Sequence, residues 1–502
     1  MGTRRDNITG KARAEIAMEV MPSSRPHGTV TRLAREYAVS RQTIYRISHV
    51  GREVLLHNMA PGAHGPQAAE KVVLVNRDRL ARSAVVLTWA GVSQRDIGQC
   101  CDALLDTSVS AAWVNAELAK REGLAAQVNL SWKPSNGETL SGDEIYSNGS
   151  PNLMVIGNDT LYIYALTRQP SCDGDTWACV LLDVPESPQF SSDAGCGLAA
   201  GAKTAARTVH QLDWDHLLRP IWGQVSRLEE QAYAGLEAVE ERAAQFSQAQ
   251  TPKRLENHLS VWENLNSQAQ KKIVQHDQFI QLSEQVDDQF ALIDLNNGQL
   301  RDPFASAAIL RSVGKALSQW QGRIYEKLSA NLIHWADGLF AYHTGLARAM
   351  QTLVAQWGAE AIHALSAVWQ IEADQKRHPK PWIYRQNRQT LWETYLEKAA
   401  QGLDFEQLET AWTALCQVLN HSWRGSMLCE CVNSLLRPVF DRRKHSDQGC
   451  LELFRFLHNA HLFTRGKRAG HSPADLAGIQ LPADPFSLLG LMPKCQSNST
   501  DF

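Results

Sequence analysis

The first clear hydrophobic pattern in the chain is a helical one, interrupted once, between Thr29 and Ser48. Apolar residues recur at Val30, Leu33, Ala34, Tyr37, Val39, Ile44 and Ile47. The interruption predicts a tight turn, in which Val39 fills the core and Ser40 N-caps a second helix. The outward residues of that helix would be Arg41, Gln42, Thr43 and Arg46. This is the pattern of a helix-turn-helix unit with Arg and Gln facing the DNA major groove, although a helical hairpin with a solvated basic face would look similar.

A weaker copy of the same pattern follows a linker rich in Pro, Gly and His at 57–70. Leu80 to Trp89 predicts a first helix, and Gly91 to Ile97 predicts a turn and a second helix. A further helix is expected from Ser108 to Lys120, with inward residues Val109, Trp113 and Leu118. The segment is either a second DNA-binding module or a purely structural three-helix unit. We therefore predict two amino-terminal domains, at 1–56 and 71–127.

After a second linker, Val128 to Glu138, the period of the pattern changes to two. The predicted strands are Thr139 to Ser147, Leu153 to Gly157, Leu161 to Thr167, Gln189 to Ser192 and Thr208 to Leu212. A short helix N-capped by Asp175 or Thr176 precedes the fourth strand, and a helix of small residues, Gly195 to Ala206, follows it. The order βββαβαβ predicts an RNase H-like core at 138–214, in which the first and fourth strands lie side by side at the sheet centre.

From about Asp215 to Asn420 the pattern is helical, with no convincing strand. One apolar stripe comprises Leu217, Ile221, Val225, Leu228 and Ala232, and another comprises Val313, Leu317, Trp320, Ile324, Leu328, Leu332, Trp335 and Leu339. Eleven of the fifteen Trp residues lie between Asp213 and Arg424, so this segment needs a packed core of its own. The predicted fold class is multidomain α+β: helix-turn-helix modules, then an RNase H-like α/β core interrupted by an all-α insertion at 215–422 and completed at 423–502.

Three carboxylates fall where such a core would bring them together. Asp143 lies on the first strand and Asp193 ends the fourth, so the two can meet at the centre of the sheet. Glu430, on a helix after the insertion, would complete a cage for two divalent cations. Such a pair of cations activates the attacking oxygen and stabilises the leaving oxygen of a phosphodiester displacement. Glu406 and Asp441 are alternative third acids, with Asp441 poorly placed.

Neighbours of Glu430 extend this candidate site. Asn433 and Arg437 follow at i+3 and i+7 and so share its helix face. The basic residues that come next, suited to a DNA backbone, are Arg442, Arg443 and Lys444. Glu144 is excluded, because adjacent residues of a strand point to opposite faces of the sheet. A basic and aromatic stretch, Gln375 to Gln389, could grip DNA ends or be a solvated loop.

The length agrees with this division into domains, and the charge is unevenly distributed along the chain. The 502 residues suit about three domains, and the net charge is −3, yet residues 1 to 56 hold ten Lys and Arg against five Asp and Glu. That basic segment permits DNA binding in spite of the overall charge. Ten cysteines without a C-x-x-C pair indicate reduced, mostly buried thiols. Without a membrane span or signal peptide, we expect a cytoplasmic protein.

Several sequence blocks carry a resemblance to a known family. They are DEIYSNGSPNL, DTWACVLLDV, SSDAGCGLAAG, QLDWDHLL and the segment from CECVNSLLRPVFDRR to HSPADLAGI, roughly a third of the chain. Together they resemble bacterial insertion-sequence transposases of the DDE superfamily, with Asp143, Asp193 and Glu430 matching the triad. His216 resembles the His that often follows an Asp in that family, although a capping or packing role is equally compatible with the sequence.

The resemblance implies cleavage at insertion-sequence ends and strand transfer, dependent on two Mg²⁺ ions with Mn²⁺ as a substitute. The implied partners are double-stranded DNA, as transposon ends and as target, and further copies of the chain in a homo-oligomer, with no membrane. Two other functions stay open: a catalytically inactive, transposase-derived DNA-binding regulator, and an RNase H-like nuclease that cuts without strand transfer.

Overall fold

The structure is a computed structural model that describes residues 8–21, 26, 28–59, 75–135, 137–205, 209–246, 251–377, 382–442 and 446–491. Most of the linker predicted at 57–70, part of the basic stretch Gln375 to Gln389, and both Arg443 and Lys444 lie outside the described residues. The chain divides into two compact units, one up to Val75 and the other from Asn76. In the parts described, no helix combines the length and apolar character needed to cross a membrane.

The first unit contains three helices, α1 (Gly10–Val20), α2 (Thr29–Glu36) and α3 (Arg41–Met59). As predicted, Ser40 caps α3, because its Oγ accepts a hydrogen bond from the Thr43 backbone N–H at 3.0 Å. The core is formed by Ile8, Ile16, Val20, Val30, Leu33 and Ile44, with half-buried Val39 packed against it. Helix α1 was missed, since its buried residues are few and scattered among charged ones.

The second unit begins with α4 (Arg77–Trp89), α5 (Gln94–Leu105) and α6 (Ala111–Ser131). The three helices lie where they were predicted, but α6 continues well past Lys120. Its buried Leu118 shares a core with Leu453 and Phe456 of a carboxy-terminal helix, α18 (Gln448–Ala460). The apolar inner face of this three-helix segment is therefore covered by the remainder of the second unit.

A five-stranded mixed sheet forms the centre of the second unit. Its strands are β1 (Leu140–Ser147), β2 (Ser150–Gly157), β3 (Ile163–Arg168), β4 (Gln189–Ser192) and β5 (Val209–Leu212), in the spatial order β3-β2-β1-β4-β5. The meander β1–β2–β3 is antiparallel, whereas β4 runs parallel to both β1 and β5. The predicted neighbourhood of the first and fourth strands is confirmed, because Leu140 pairs with Phe190 and Ser141 with Ser191.

Helices cover both faces of this sheet. On one face, α7 (Gly174–Asp183), α8 (Cys196–Ala205) and α19 (Pro473–Leu476) pack around Leu153, Trp177 and Phe190. On the other, α17 (Met427–Arg442) and α18 pack against Ile145, Met154 and Ile156. The cap predicted for α7 was wrong: Asp173, not Asp175 or Thr176, accepts the Thr176 backbone N–H at 2.9 Å, so the helix starts at Gly174, two residues earlier than a cap at Asp175 would give.

Between β5 and α17 the chain is almost entirely helical. The helices are α9 (Trp214–Ala244), α10 (Pro252–Asp288), α11 (Pro303–Leu317), α12 (Arg323–Trp335), α13 (His343–Trp357), α14 (Ala359–Arg377), α15 (Trp382–Gly402) and α16 (Phe405–Asn420). They share one large apolar core that includes Leu217, Leu310 and Leu415. The sequence missed a two-residue ribbon, β6 (Ile293–Asp294) with β7 (Gln299–Leu300). The second predicted stripe is split between α11 and α12, because Gly322 adopts a positive φ of 128° between them.

The expectation of mostly buried thiols was wrong. The nine cysteines in the described residues are all free, and Cys179, Cys196 and Cys431 are exposed while only Cys101, Cys429 and Cys450 are buried. The small helix α8 and the short α7 leave their outer faces open, which accounts for two of the exposed thiols.

Candidate active site

Asp143 lies at the middle of β1, on the sheet face that α17 covers. Its neighbour Ile145, two residues on, belongs to the apolar cluster of that face, and alternate residues of a strand share a face. The pKa of Asp143 is raised to about 7, first by burial and then by the negative charges of Asp193 and Glu430. Carboxylates from three distant parts of the sequence are thus close enough to oppose each other's ionisation.

Asn433 of α17 is the direct partner of Asp143. Its Nδ2 donates a hydrogen bond to Asp143 Oδ2 at 2.8 Å, while Asp143 Oδ1 accepts the Glu144 backbone N–H at 2.9 Å. The buried side chains of Cys429, Val432 and Leu436 hold α17 against the sheet. The Asn433 Oδ1 atom is buried without a hydrogen-bond partner, so an oxygen lone pair is left free beside the carboxylates.

Asp193 follows β4 at the turn that leads into α8. Its Oδ1 accepts the Gly195 backbone N–H at 3.0 Å, which fixes the orientation of the carboxylate. Because β4 lies next to β1, the turn that follows β4 lies near Asp143, and the charge of Asp193 raises the pKa of Asp143.

Gly195 is needed for this orientation. A Cβ atom at position 195 would stand 2.9 Å from Asp193 Oδ1, closer than side chains normally approach. We therefore expect Gly195→Ala to displace the Asp193 carboxylate and lower any activity of this site by about tenfold or more, as small displacements of catalytic groups do. The control is Gly149→Ala, which meets no atom within 4 Å but has a positive φ; it should cost stability and not the activity of the folded fraction. Equal activity of Gly195→Ala and the unaltered chain would contradict this role.

Glu430 lies in the first turn of α17 and faces the same region. The Arg437 guanidinium contacts Glu430 Oε2 at 3.2 Å, so these two residues lie along one side of the helix. The side chain of Glu430 is 39% exposed. Glu406, on α16, and Asp441, at the end of α17, are both exposed.

The side chains around Asp143 carry donor atoms suited to a divalent cation. Carboxylate oxygens and an amide oxygen are the ligands preferred by Mg²⁺ and Mn²⁺, and the unpartnered Asn433 Oδ1 adds a free donor atom to Asp143. The concentration of negative charge that raises the Asp143 pKa also favours a cation. Among the described residues, no three His, Cys, Asp or Glu side chains already stand in an arrangement that could hold a metal ion. The donors fit such an ion in kind and charge.

A second polar cluster, not recognised in the sequence, lies beside the carboxylates. Asp213, buried at the end of β5, accepts hydrogen bonds from the Asp215 backbone at 2.7 Å and from both the backbone N–H and the hydroxyl of Ser426 at 2.9 and 2.7 Å. Burial raises the pKa of Asp213, but the hydrogen bond with His216, followed by those from Ser426 and Asp215, lowers it below its ordinary value. Asp213 thus joins β5 to Ser426, the residue that precedes α17. In the sequence, Asp213 was marked only by its position three residues before His216.

His216 is oriented by this buried carboxylate. Its Nδ1 lies 3.1 Å from Asp213 Oδ2. The hydrogen bond with Asp213 raises the pKa of His216, burial opposes it, and the charges of Asp213, Asp193 and Asp143 raise it further. An imidazolium here would be the positive counterpart of the carboxylates.

Glu144 occupies the opposite face of the sheet but is not remote from the site. Burial is the largest cause of its raised pKa, and the charge of Asp193 adds to it, whereas the side chains of Trp177 and Cys172 act in the other direction. Alternation along the strand predicted which face of the sheet the Glu144 side chain occupies. It did not predict that the charge of Asp193 would raise the pKa of Glu144.

The residues predicted to contact DNA are distributed over both units. On α3, Arg41, Gln42 and Arg46 are exposed and Thr43 is half-buried. Arg442, at the end of α17, is exposed in the second unit. Arg443 and Lys444 lie outside the described residues.

No protein-family model and no curated protein matches this chain.

Proposed function

We propose that the chain is a DDE-type DNA transposase with an RNase H-like catalytic core, which cleaves and joins DNA at the ends of an insertion sequence. The observation that carries the proposal is that Asp193 and Glu430, from distant parts of the chain, lie close enough to Asp143 for their charges to add to burial in raising its pKa. The sheet order β3-β2-β1-β4-β5, with antiparallel β1–β2–β3 and parallel β4 and β5, supports it, since this is the strand arrangement of the RNase H-like fold.

The residues of the site divide into three roles under this proposal. Asp143, Asp193 and Glu430 would hold two Mg²⁺ ions, which supply the activation of the attacking oxygen and the stabilisation of the leaving oxygen. Asn433 and Gly195 orient the two aspartates through hydrogen bonds to Asp143 and Asp193. His216, held by Asp213, would stabilise the charge of a DNA phosphate when it is protonated and can exchange a proton at the edge of the site.

Recognition of the DNA ends would belong to the first unit. The exposed side chains of Arg41, Gln42 and Arg46 lie near the beginning of α3, which is the recognition helix of a helix-turn-helix unit. Arg442 would contact the DNA backbone near the carboxylates.

Arg46→Ala is expected to weaken binding to DNA from the ends of the element by about tenfold or more, because an Arg contact to a base or phosphate contributes roughly 1–3 kcal/mol. Arg32→Ala is the matched control, since Arg32 lies on α2 and already pairs with Glu36 at 2.8 Å. Fluorescence anisotropy with a labelled duplex, at several salt concentrations, measures both variants. An equal loss for the two would indicate nonspecific attraction to the basic unit instead of recognition by α3.

The proposal is tested by incubating the purified chain and Mg²⁺ or Mn²⁺ with a labelled duplex that carries the DNA flanking its gene. We expect short inverted repeats in that flanking DNA, and strand nicking at their outer boundary. Cutting without joining to a target duplex would indicate an RNase H-like nuclease instead.

A second candidate function is a catalytically inactive, transposase-derived DNA-binding regulator. It is favoured by one observation: the Arg437 guanidinium engages the Glu430 carboxylate at 3.2 Å. This alternative predicts tight binding to the same duplex with no metal-dependent nicking.

A further inference from the structure

Two hydrogen-bond contacts connect β5 to the turn that carries Asp193. The Ser192 hydroxyl oxygen lies 2.8 Å from Nε2 of His210 and 2.9 Å from the backbone carbonyl oxygen of Asp193. Ser192 is fully buried and His210 is half-buried. We call His210, Ser192 and the Asp193 carbonyl the relay. It joins the imidazole of one strand to the backbone of a candidate metal-binding residue on the next.

The direction of both hydrogen bonds follows from the protons available. A serine hydroxyl carries one proton, and a carbonyl oxygen can only accept. Once the Ser192 hydroxyl donates to the Asp193 carbonyl, its contact with His210 is a hydrogen bond only if Nε2 carries a proton and donates it to Ser192 Oγ. Burial lowers the pKa of His210, and the charge of Asp193 acts in the other direction. The imidazole is therefore neutral at pH 7, with its proton on Nε2.

Packing within the sheet holds the His210 ring in place. Phe190 pairs with His210 in the register of β4 with β5, and the two rings stack with centroids 6.0 Å apart and planes at 28°. The Phe190 ring lies against Gly142 of β1, where a Cβ atom would stand 2.5 Å from Phe190 Cζ. Gly142 directly precedes Asp143. This layer of three residues thus ties β5 to the strands that carry Asp143 and Asp193.

We propose that His210 is a positioning residue for Asp193. It acts through Ser192: the relay fixes the backbone at Asp193, while the Gly195 N–H fixes one oxygen of the carboxylate. The inference rests on the proposed function, in which the Asp193 carboxylate holds metal ions. Partners that orient a metal-binding residue typically contribute about 10- to 100-fold to metal affinity or activity.

The relay itself is tested by ¹⁵N NMR of the metal-free chain labelled in histidine. We expect His210 to be neutral at pH 7 with its proton on Nε2, and its signals are assigned by their absence from His210→Gln. In Ser192→Ala the Nε2–H loses its acceptor, so the Nε2 resonance of His210 should shift. A proton on Nδ1, or His210 signals that Ser192→Ala leaves unchanged, would overturn the proposal.

Metal-dependent nicking tests the positioning role. His210→Leu should raise the Mn²⁺ concentration needed for half-maximal nicking about tenfold, with the affinity for the duplex unchanged. His210→Gln should recover most of this loss, because an amide nitrogen can donate to Ser192 Oγ. His258→Leu is the matched control, since His258 is also half-buried and its ring lies 6.4 Å from that of Phe246, on the hairpin of α9 and α10. Circular dichroism verifies that the variants are folded.

Failure of this inference differs from failure of the proposed function. An unaltered chain that never nicks contradicts the proposed function, and the NMR measurement then decides on the relay alone. If the unaltered chain nicks and His210→Leu has the same Mn²⁺ requirement, His210 does not position Asp193. Equal impairment of His210→Gln and His210→Leu would also overturn the role of the donated hydrogen bond.

Discussion

Replacing Glu430 by Gln is expected to lower the rate of metal-dependent DNA nicking by about 10³-fold or more, the scale of loss when one member of a catalytic group is removed. The substitution keeps the shape of the side chain but removes the charge that would hold a cation. Asp441→Asn is the matched control, because Asp441 is an exposed acid on the same helix, three turns away. It should leave the rate within about twofold, on the scale of a surface change.

The opposite result would reassign the third acid. If Asp441→Asn abolished nicking while Glu430→Gln did not, the third catalytic acid would be Asp441 and not Glu430. Thermal melting of both variants separates this outcome from misfolding, since both residues are accessible to solvent and neither substitution should lower the melting temperature appreciably.

The second large effect concerns pH, because the pKa of Asp143 is raised to about 7. An ion can bind only the deprotonated carboxylate, so metal affinity should fall as the pH falls below 7. With one proton and this pKa, Mn²⁺ binding at pH 6 should be about tenfold weaker than at pH 8, and nicking at subsaturating metal should follow the same dependence. Calorimetric titration with Mn²⁺ at a series of pH values measures the effect. Affinity that is constant between pH 6 and 8 would contradict it.

The same shift predicts the stability of the metal-free chain. The pKa of Asp143 is higher in the folded state than in the unfolded state, so the stability it contributes is fully present below about pH 4 and is lost as the pH rises through 7. Asp143→Asn, which resembles the protonated form, should therefore melt at a higher temperature than the unaltered chain at pH 8 in the presence of EDTA. The difference should shrink toward pH 5. A lower melting temperature of the variant at pH 8 would contradict a destabilising effect of the buried, charged Asp143 carboxylate.

Local patterns predicted the sheet well. The change from a helical period to alternation located all five strands, and the neighbourhood of Asp143 and Asp193 followed from the pairing of β1 with β4. The helix face shared by Asn433 and Arg437 with Glu430 could also be derived from spacing alone, since a helix repeats every 3.6 residues.

What the sequence could not provide was the set of contacts made across long separations. Asp213 and Ser426 are joined by two hydrogen bonds although 213 positions separate them, and no local pattern marks such a pair. The split between α11 and α12 was missed because the apolar spacing continues through the break, which Gly322 makes by its backbone angle and not by polarity. The sequence likewise could not show that Asn433 Oδ1 is buried without a hydrogen-bond partner, because this depends on how α17 packs against the sheet.

Catalysis by the carboxylates is tested by comparing the unaltered chain with Asp193→Asn in the nicking of a labelled duplex from the ends of the insertion sequence. With Mg²⁺ or Mn²⁺, the unaltered chain should nick the duplex and Asp193→Asn should not, while Asp183→Asn, an exposed acid at the end of α7, should behave as the unaltered chain does. Binding of the duplex by all three proteins should be equal. Absence of nicking by the unaltered chain, or nicking that Asp193→Asn leaves unchanged, would contradict the account.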